Sequence, residues 1–525
     1  MLRVFQTDIT DPDQFVVTLE LVPGKESIGR SVDTVMGIAK DSFSDGRVSA
    51  VSITDNPGGN PSLSPDVIGH EIFKVGMDVI VHFTCRDLNR VGMESRALQL
   101  AMMGMKNLLC LTGDYTGKGF GGQGAPVFDL DSVNLQLMLG QLNKRLHEAG
   151  DPDGFLTGSA VSPFKWTEPE TFVQYAKLCR KIASGAQFVI TQLGYDARKF
   201  GELIGVMRHV ALDVPVFGSI YVLTPGAARA MNRGAVPGAV VSNTLLREIE
   251  TEWKDPEHGR RRAVERAARL GSILKGLGYR GMHLGGIHRD FDIAGRILDR
   301  FGDIASDWEH FLPEFDYPQK NGFYVFAKGS GPGTGLPGFQ HRHHLALSEK
   351  LRYHTLKAIH DRFFSFDAAG SDLYHRLSQW ADSLPAARNT IHFLESSAKK
   401  ITLRCKNCGD CGIQHVAFLC PESQCPKHIR NGACGGSRNG RCEVYPERFC
   451  VWVRAYHRLA YSGDVDEVVT GCVPPRMWEL NGTPSWLNFH LKRDHQSVSS
   501  ELTQLCGREA CRLAEGRLSG DPSIA

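Results

Sequence analysis

The first 300 residues alternate short apolar runs with longer stretches whose apolar residues recur at helical spacing. Eight apolar runs predict β-strands at residues 15–21, 49–54, 78–83, 107–111, 155–162, 188–192, 214–219 and 281–284. Helices are predicted at residues 94–103, 132–149, 170–182 and 202–209, and between Asp255 and Gly278. Eight strands alternating with helices favour an α/β fold, the (β/α)8 TIM barrel, and a doubly wound open sheet is the alternative.

Polar residues stand where the predicted strands end, as expected for a barrel that collects its active site at the carboxyl ends of its strands. They are Glu20, Thr54, His82, Asp114, Ser162, Gln192, Tyr221 and His283. Glu20 lies in an apolar strand, where desolvation raises the pKa of a carboxyl group and suits a general acid. A salt-bridged glutamate is the other interpretation. Asp114 follows the fourth strand, where helix capping is the alternative role.

The pattern changes after residue 311, where aromatic, irregular sequence includes a glycine-rich segment at 329–335. Helices then resume, and Leu373, Leu377, Trp380 and Leu384 form one apolar face that we expect to pack in a core. The predicted division is a barrel at 1–310, an irregular and helical connecting segment at 311–400, and a cysteine-rich C-terminal domain with a tail at 401–525.

The chain has 14 cysteines, and eight of them crowd into one segment: Cys405, Cys408, Cys411, Cys420, Cys425, Cys434, Cys442 and Cys450. Such local crowding in a long chain indicates metal binding rather than disulfides. The first three have the Cys-x2-Cys-x2-Cys spacing of a [4Fe–4S] ligand set, because three thiolates on one loop can cap one face of a cubane. Zinc is the alternative, held by four thiolates or by three thiolates with His415 or His428.

Composition and charge limit the kinds of binding partner that we expect for this protein. The formal net charge is +2, so there is no electrostatic reason to expect nucleic acid. No run approaches the ~20 apolar residues of a membrane-spanning helix, and residues 1–10 lack the features of a targeting peptide. We therefore expect a cytoplasmic protein without membrane insertion.

Seven short motifs follow one another within residues 15–300: Glu20-Leu-Val-Pro23, Ser52-Ile-Thr54, Val81-His-Phe-Thr-Cys85, Leu111-Thr-Gly-Asp114, Pro126-Val-Phe-Asp-Leu-Asp131, Arg180-Lys181 and Ile190-Thr-Gln192. Their order and spacing resemble the methylenetetrahydrofolate reductase family. The resemblance implies a flavin-bearing (β/α)8 barrel that reduces 5,10-methylenetetrahydrofolate to 5-methyltetrahydrofolate, with FAD favoured over FMN.

The resemblance also implies roles for residues. Glu20 matches the proton donor to N10 of the folate, and Asp114 matches the aspartate beside the flavin and the pterin. Flavin contacts are implied for Thr54, His82, Thr112, Gly113, Asp114, Leu130, Arg180 and Lys181, the last two being suited to the cofactor's phosphates. Gln192 and Arg289 match folate contacts, because an amide can read the pterin edge and a guanidinium can bind a carboxylate.

The sequence departs from the family pattern at three positions. Pro225 stands where NADH-using relatives have an aromatic residue that stacks on the dinucleotide, Ser162 replaces a tyrosine and Trp166 replaces a histidine. These departures imply an electron source other than NADH.

The cysteine-rich segment resembles a domain fused to, or partnered with, the reductase barrel in some bacteria. That resemblance implies a metal cluster that relays electrons to the flavin, or a docking site for a donor such as ferredoxin or a partner oxidoreductase. We also expect a homo-oligomer. The alternatives are the same barrel run in the oxidative direction in one-carbon catabolism, and a zinc-stabilised interaction protein with a weakly catalytic barrel.

Overall fold

The computed structural model describes residues 4–327, 338–468 and 471–497. Eight parallel strands form a closed barrel in the order β1-β8-β7-β6-β5-β4-β3-β2. The strands are β1 (Val16–Leu21), β2 (Ala50–Ile53), β3 (Val79–Thr84), β4 (Asn107–Leu111), β5 (Leu156–Val161), β6 (Phe188–Thr191), β7 (Val216–Tyr221) and β8 (Gly281–Gly285). Because β1 pairs with β8, the predicted TIM barrel is confirmed and the open sheet is excluded.

Helices surround this barrel. They are α1 (Val4–Thr10), α2 (Arg30–Asp45), α3 (Pro65–Lys74), α4 (Arg90–Met102), α5 (Ser132–Glu148), α6 (Glu168–Ala183), α7 (Ala197–His209), α8 (Pro225–Asn232), α9 (Asn243–Glu252), α10 (Pro256–Leu277), α11 (Asp292–Ile304) and α12 (Trp308–Phe311). Local signals set the ends of α10, since Asp255 accepts a hydrogen bond from the backbone N–H of Glu257 and Gly278 adopts φ 93°.

Two apolar clusters hold the barrel together. One fills its interior at the amino ends of the strands, where Phe5 of α1 packs edge-on against Phe188, with ring centroids 5.4 Å apart. The other lies between the strands and the surrounding helices. The interior at the carboxyl ends is polar instead, and includes Thr18, Ser52 and His283. The amino end of the barrel is thus filled by apolar side chains, whereas its carboxyl end offers polar groups for a functional site.

The rest of the chain forms helices and loops beside the barrel. The helices are α13 (Leu347–Phe363), α14 (Ser371–Ser383), α15 (Pro385–Leu403), α16 (Pro421–Gln424), α17 (Val451–Ser462) and α18 (Ser485–His490). Helix α17 packs against α6 of the barrel. The glycine-rich segment predicted at 329–335 and the end of the predicted tail lie outside the described residues.

The prediction for the apolar face of α14 was wrong. The side chains of Leu373, Leu377, Trp380 and Leu384 are 43–62% exposed. Helix α14 instead packs against α15 and α18, and its own buried residues are Ser378 and Ala381. Helical periodicity identified an apolar face, but it cannot say whether another element covers that face.

Among the helices that the structure describes, none combines the length and apolar character needed to cross a membrane.

Candidate active site

A cavity of about 400 Å³ lies at the carboxyl ends of the barrel strands, within the usual size range of ligand pockets. Both the barrel and the cysteine-rich region contribute residues to the wall of this cavity. The predicted site residues that line it are Glu20, Thr54, His82, Thr112, Gly113, Asp114, Lys181 and Gln192. The cysteine-rich region contributes Lys427, Cys434, Gly435, Gly436 and Glu443. The structure therefore brings residues about 400 positions apart into one site.

Glu20 is the last polar residue of β1, and its surroundings favour the protonated form of its carboxyl group. Desolvation by burial raises the pKa of its carboxyl group to about 7. Its neighbour His283, with Nε2 4.0 Å from the carboxylate, is no cation, because burial lowers the pKa of this imidazole to about 3. Thr18 fixes that ring through a 2.8 Å contact between Oγ1 and Nδ1. About half of the Glu20 carboxyl groups therefore carry a proton at neutral pH, which suits a general acid.

Asp114 follows β4 in a loop that is fixed at several points. Its Oδ2 accepts a hydrogen bond from the backbone N–H of Gly58 at 3.0 Å. Gly113 adopts φ 89°, and a Cβ atom there would lie 3.1 Å from Cβ of Thr84, so only glycine fits without a shift. Its carbonyl accepts a hydrogen bond from the ammonium of Lys427 at 2.6 Å. The Asp114 carboxylate is thereby held in the wall of the cavity that Glu20 also lines.

The cavity wall fits a polar ligand. Within the described residues, Thr54 Oγ1, His82 Nε2 and Ser162 Oγ are buried side-chain atoms without a hydrogen-bond partner, and all three residues line the cavity. Buried polar atoms normally have a partner, so a polar ligand bound in the cavity can supply one. Burial also lowers the pKa of His82 to about 4, which keeps its ring neutral.

Three predicted site residues lie outside the cavity lining, whereas Gln192 and Lys181 belong to it. Leu130, Arg180 and Arg289 are outside the set of described residues that line it. Arg180 is buried, with its guanidinium carbon 6.0 Å from the ring centroid of Trp452 on α17, and Arg289 is exposed after β8. Gln192 lines the cavity and donates to the Pro237 carbonyl at 2.9 Å. Lys181 donates to the Ala160 carbonyl at 2.5 Å.

Direct hydrogen bonds join the cysteine-rich region to the barrel. Asp131, which caps α5, accepts from both the backbone N–H and the side-chain amide of Asn431 at 3.1 Å. Lys165 donates to the carbonyls of Gly435 and Ser437. Lys427 and Glu443 were not predicted as cavity residues. No local signal could have found them, because the contact between Lys427 and Gly113 joins positions 314 residues apart.

The eight crowded cysteines divide into two sets of four. Cys405, Cys408, Cys411 and Cys420 together line one small cavity of about 20 Å³. The other four lie near enough to one another for charge to matter, since, in addition to desolvation by burial, a thiolate at Cys442 raises the pKa of Cys425 and a thiolate at Cys425 raises the pKa of Cys434 and of Cys450. The second set adjoins the barrel, because Cys434 also lines the active-site cavity. Four thiols in each set match the ligand number of a [4Fe–4S] cluster or of a zinc ion.

The spacing of these thiols differs from that of a closed zinc site. Four thiolates on one zinc lie about 3.8 Å apart, because tetrahedral Zn–S bonds are about 2.3 Å long. In the described part of the chain, the one group of three possible ligands whose atoms all lie within 4.8 Å of one another is Asp410, Asp494 and His495. No three of the eight crowded thiols are therefore that close together. Arg430 already pairs with Asp410 at 2.8 Å, so this group is a buried ion-pair network.

Two cysteines outside the crowded segment, Cys179 and Cys472, are disulfide-bonded. Cys85 and Cys110 in the barrel are free, as are all eight cysteines between Cys405 and Cys450. The expectation against disulfides therefore applies to the crowded segment and not to these two positions.

Comparisons with known proteins agree with this architecture. A family model described as methylenetetrahydrofolate reductase matches residues 6–302, and one described as methylene-tetrahydrofolate reductase C terminal matches residues 384–479. Methylenetetrahydrofolate reductase 1 of Schizosaccharomyces pombe is 22% identical over 223 residues, 42% of this chain and 35% of that protein. A probable methylenetetrahydrofolate reductase (NADPH) of Caenorhabditis elegans is 26% identical over 148 residues, 28% of this chain and 20% of that protein.

The matches thus span about a third and a fifth of the lengths of these two relatives. A solved structure of an uncharacterized protein from Clostridium thermocellum, which binds two copies of 5-methyl-5,6,7,8-tetrahydrofolic acid, aligns with 57% of this chain and 99% of its own. Its TM-score is 0.40 and its identity 10%. The first family model covers more than half of the 525 residues. The chain belongs to the methylenetetrahydrofolate reductase family.

Proposed function

We propose that this protein is a flavin-dependent reductase that converts 5,10-methylenetetrahydrofolate to 5-methyltetrahydrofolate. The observation that carries the proposal is the pairing of Glu20 and Asp114 in one cavity, at the barrel end where this fold places its catalytic groups. Family membership supports the same reaction. When bound, a reduced flavin supplies the hydride that reaches the methylene carbon.

Glu20 and Asp114 have different tasks in this proposal. Glu20 donates the proton to N10 of the folate, and its pKa of about 7 matches that task near neutral pH. Asp114 presents a carboxylate that favours the cationic iminium formed when the folate ring opens. Thr54, His82, Thr112, Gly113 and Lys181 are the further proposed flavin contacts in the cavity wall, and Gln192 is the proposed folate contact there. Leu130 and Arg180 for the flavin and Arg289 for the folate are proposed from the family resemblance, since they lie outside the lining of this cavity. FAD remains favoured over FMN.

We further propose that each cysteine set binds one [4Fe–4S] cluster. The four-thiol composition of both sets supports this assignment, as does a spacing wider than that of a zinc tetrahedron. The set around Cys425 is next to the cavity through Cys434, so a cluster there suits electron delivery to the flavin. Zinc in either set is the alternative outcome.

The exposed face of α15 supports a protein electron donor. Glu395 is the one acidic residue between 385 and 406, and it is buried, whereas Arg388, Lys400, Arg404 and Lys406 are exposed. The apolar side chains of Phe393, Leu394 and Ile401 are 56–83% exposed beside them. A basic and apolar face that leads directly to Cys405 suits an acidic iron–sulfur carrier such as ferredoxin. Pro225, the first residue of α8, supports a donor other than NADH.

An anaerobic experiment on the full chain tests these points. Purified protein is analysed for flavin, iron, labile sulfide and zinc, reduced with dithionite, and mixed with methylenetetrahydrofolate. We expect about eight irons and one flavin per chain, because two [4Fe–4S] clusters hold eight irons. We also expect reoxidation of the flavin with formation of methyltetrahydrofolate. The proposal is contradicted if the protein neither contains nor takes up flavin, or if methylenetetrahydrofolate does not reoxidise its reduced flavin.

Two further measurements decide the donor and the direction. NADH, NADPH and reduced ferredoxin are compared as reductants at several salt concentrations, and ferredoxin is expected to be fastest and to slow as salt rises. Oxidised protein is then mixed with methyltetrahydrofolate, and a faster reaction in that direction under matched conditions favours the oxidative alternative. A cytoplasmic location and a homo-oligomeric state remain predictions, as does the three-part division at residues 310 and 400.

A further inference from the structure

Lys427 reaches from the cysteine-rich region into the mouth of the barrel. Its side chain is only 3% exposed, and its ammonium donates a 2.6 Å hydrogen bond to the carbonyl of Gly113. The same ammonium forms an ion pair with Glu443 and interacts electrostatically with Asp114. All four residues line the active-site cavity. A cation from the C-terminal region is thus built into the site that holds the proposed Asp114.

The hydrogen bond acts on the peptide that sets the direction of Asp114. Gly113 immediately precedes Asp114 and has a left-handed backbone conformation that fixes where its carbonyl points. On the other side, the N–H of Gly58 holds the Asp114 carboxylate. Lys427 and Gly58 therefore hold this loop at two ends. Loss of the Lys427 contact leaves the partly buried Gly113 carbonyl without its charged donor.

Lys427 and its ion-pair partner both lie beside members of the second cysteine set. Lys427 is two residues after Cys425, and Glu443 directly follows Cys442. Glu443 also accepts a hydrogen bond from the thiol of Cys434 at 3.3 Å. A chain of direct contacts therefore connects this cysteine set to the Gly113–Asp114 loop, from Cys434 through Glu443 and Lys427.

We propose that Lys427 is a positioning residue for Asp114, so that the cysteine-rich region completes the barrel's active site as well as serving electron transfer. The inference rests on the proposed function for its effect on turnover. Its effect on the loop does not depend on that function, because loop order is measured without substrate.

The test compares Lys427→Met with two matched variants of the full chain. Lys118→Met removes an exposed lysine of the same loop. Lys165→Met removes a different tether between the barrel and the C-terminal region, one that bonds to Gly435 and Ser437 rather than to Gly113. Amide hydrogen exchange of the peptide around residues 112–124 reports loop order, and reoxidation of dithionite-reduced flavin by methylenetetrahydrofolate reports turnover.

We expect Lys427→Met to speed exchange of the 112–124 peptide and to slow the folate half-reaction by about tenfold or more, the loss expected for a hydrogen bond to a charged group. Flavin and iron contents should stay at the wild-type level, and reduction by dithionite should be unchanged. Lys118→Met should match wild type in both measurements. Lys165→Met should affect the loop and the folate step less than Lys427→Met.

Unchanged exchange in Lys427→Met overturns the proposal, as does an equal effect of Lys165→Met, which indicates general loosening of the interface. If Lys427→Met loses iron, Glu443→Gln decides instead, because it removes the charge that pairs with Lys427 and keeps the side-chain size. It should speed loop exchange by a smaller factor, and unchanged exchange there also overturns the proposal. If wild type itself does not react with the folate, the proposed function fails while loop exchange still tests the role of Lys427.

Discussion

The barrel and the cysteine-rich region share one cavity but are stabilised by different interactions. In the barrel, strands and helices bury two apolar clusters, so the hydrophobic effect supplies much of its stability, and the larger cluster extends to Trp452 and Tyr456 of the C-terminal region. Within the cysteine-rich region, the buried Arg430 pairs with Asp410 at 2.8 Å and with Glu422 at 3.1 Å. We therefore expect the barrel to fold without ligands, and the cysteine-rich region to depend on its ion pairs and on groups bound by its thiols.

The largest expected effect comes from removing one cluster ligand, Cys408→Ser. It should lower iron content by about half, because one of two four-thiolate sites is lost. It should also expose residues 404–497 to hydrogen exchange while the barrel peptides stay protected. Cys110→Ala, a free cysteine on β4, is the control that should keep all the iron. If hydrogen exchange in Cys408→Ser rose as much in the barrel peptides as in residues 404–497, the two regions would depend on bound ligands to the same extent.

Glu20→Gln should damage barrel chemistry and leave the cysteine-rich region unchanged. Loss of a general acid slows the folate half-reaction by roughly 10²–10⁴-fold. Stopped-flow reoxidation of the reduced flavin measures this loss, and metal analysis should give wild-type iron. A variant that retains the wild-type rate would remove Glu20 from the proposed mechanism.

Arg430→Met should destabilise the cysteine-rich region by about 3–5 kcal/mol, because it removes the guanidinium that Asp410 and Glu422 share in a buried site. Denaturant dependence of hydrogen exchange measures this loss separately in each region. The control is Arg229→Met, whose ion pair with Glu250 is exposed and should contribute only about 0–1 kcal/mol. A barrel that loses as much stability as the cysteine-rich region would contradict the comparison.

Asp114→Asn should slow the folate half-reaction by about tenfold while flavin binding changes little, because the amide keeps the shape of the side chain but removes its charge. Stopped-flow rates and flavin titration separate these two quantities. The assignment of Asp114 would be wrong if flavin affinity fell and the folate step kept its wild-type rate.

The smallest expected effect is on pH dependence. Because desolvation raises the pKa of Glu20 to about 7, the acid form is present below pH 7 and is lost as pH rises through that value. The rate of the folate half-reaction should therefore fall about fivefold between pH 7 and pH 8. Glu20→Gln should lack this decline. A wild-type rate that rises over the same interval would assign the proton to another group.

Much of the barrel was predictable because its signals are local. The strand predicted at 107–111 is β4, and the helix predicted at 170–182 is α6 with a few added residues. Helices α2, α3 and α11 lie in stretches for which no helix was predicted, and α1 closes the barrel through contacts with distant strands. The exposed face of α14 had the same periodicity as a core helix, and only its neighbours reveal the difference.

By itself, the sequence determined the barrel, the alignment of Glu20 and Asp114 at strand ends, and the presence of eight crowded cysteines. Those features follow from periodicity, strand termini and composition, which are properties of short segments. The tertiary structure alone decided that the cysteines form two sets, that Cys434 reaches the cavity, and that Lys427 holds the loop of Asp114. The contact from Lys427 to Gly113 spans 314 positions, and only folding brings such distant groups within hydrogen-bond distance.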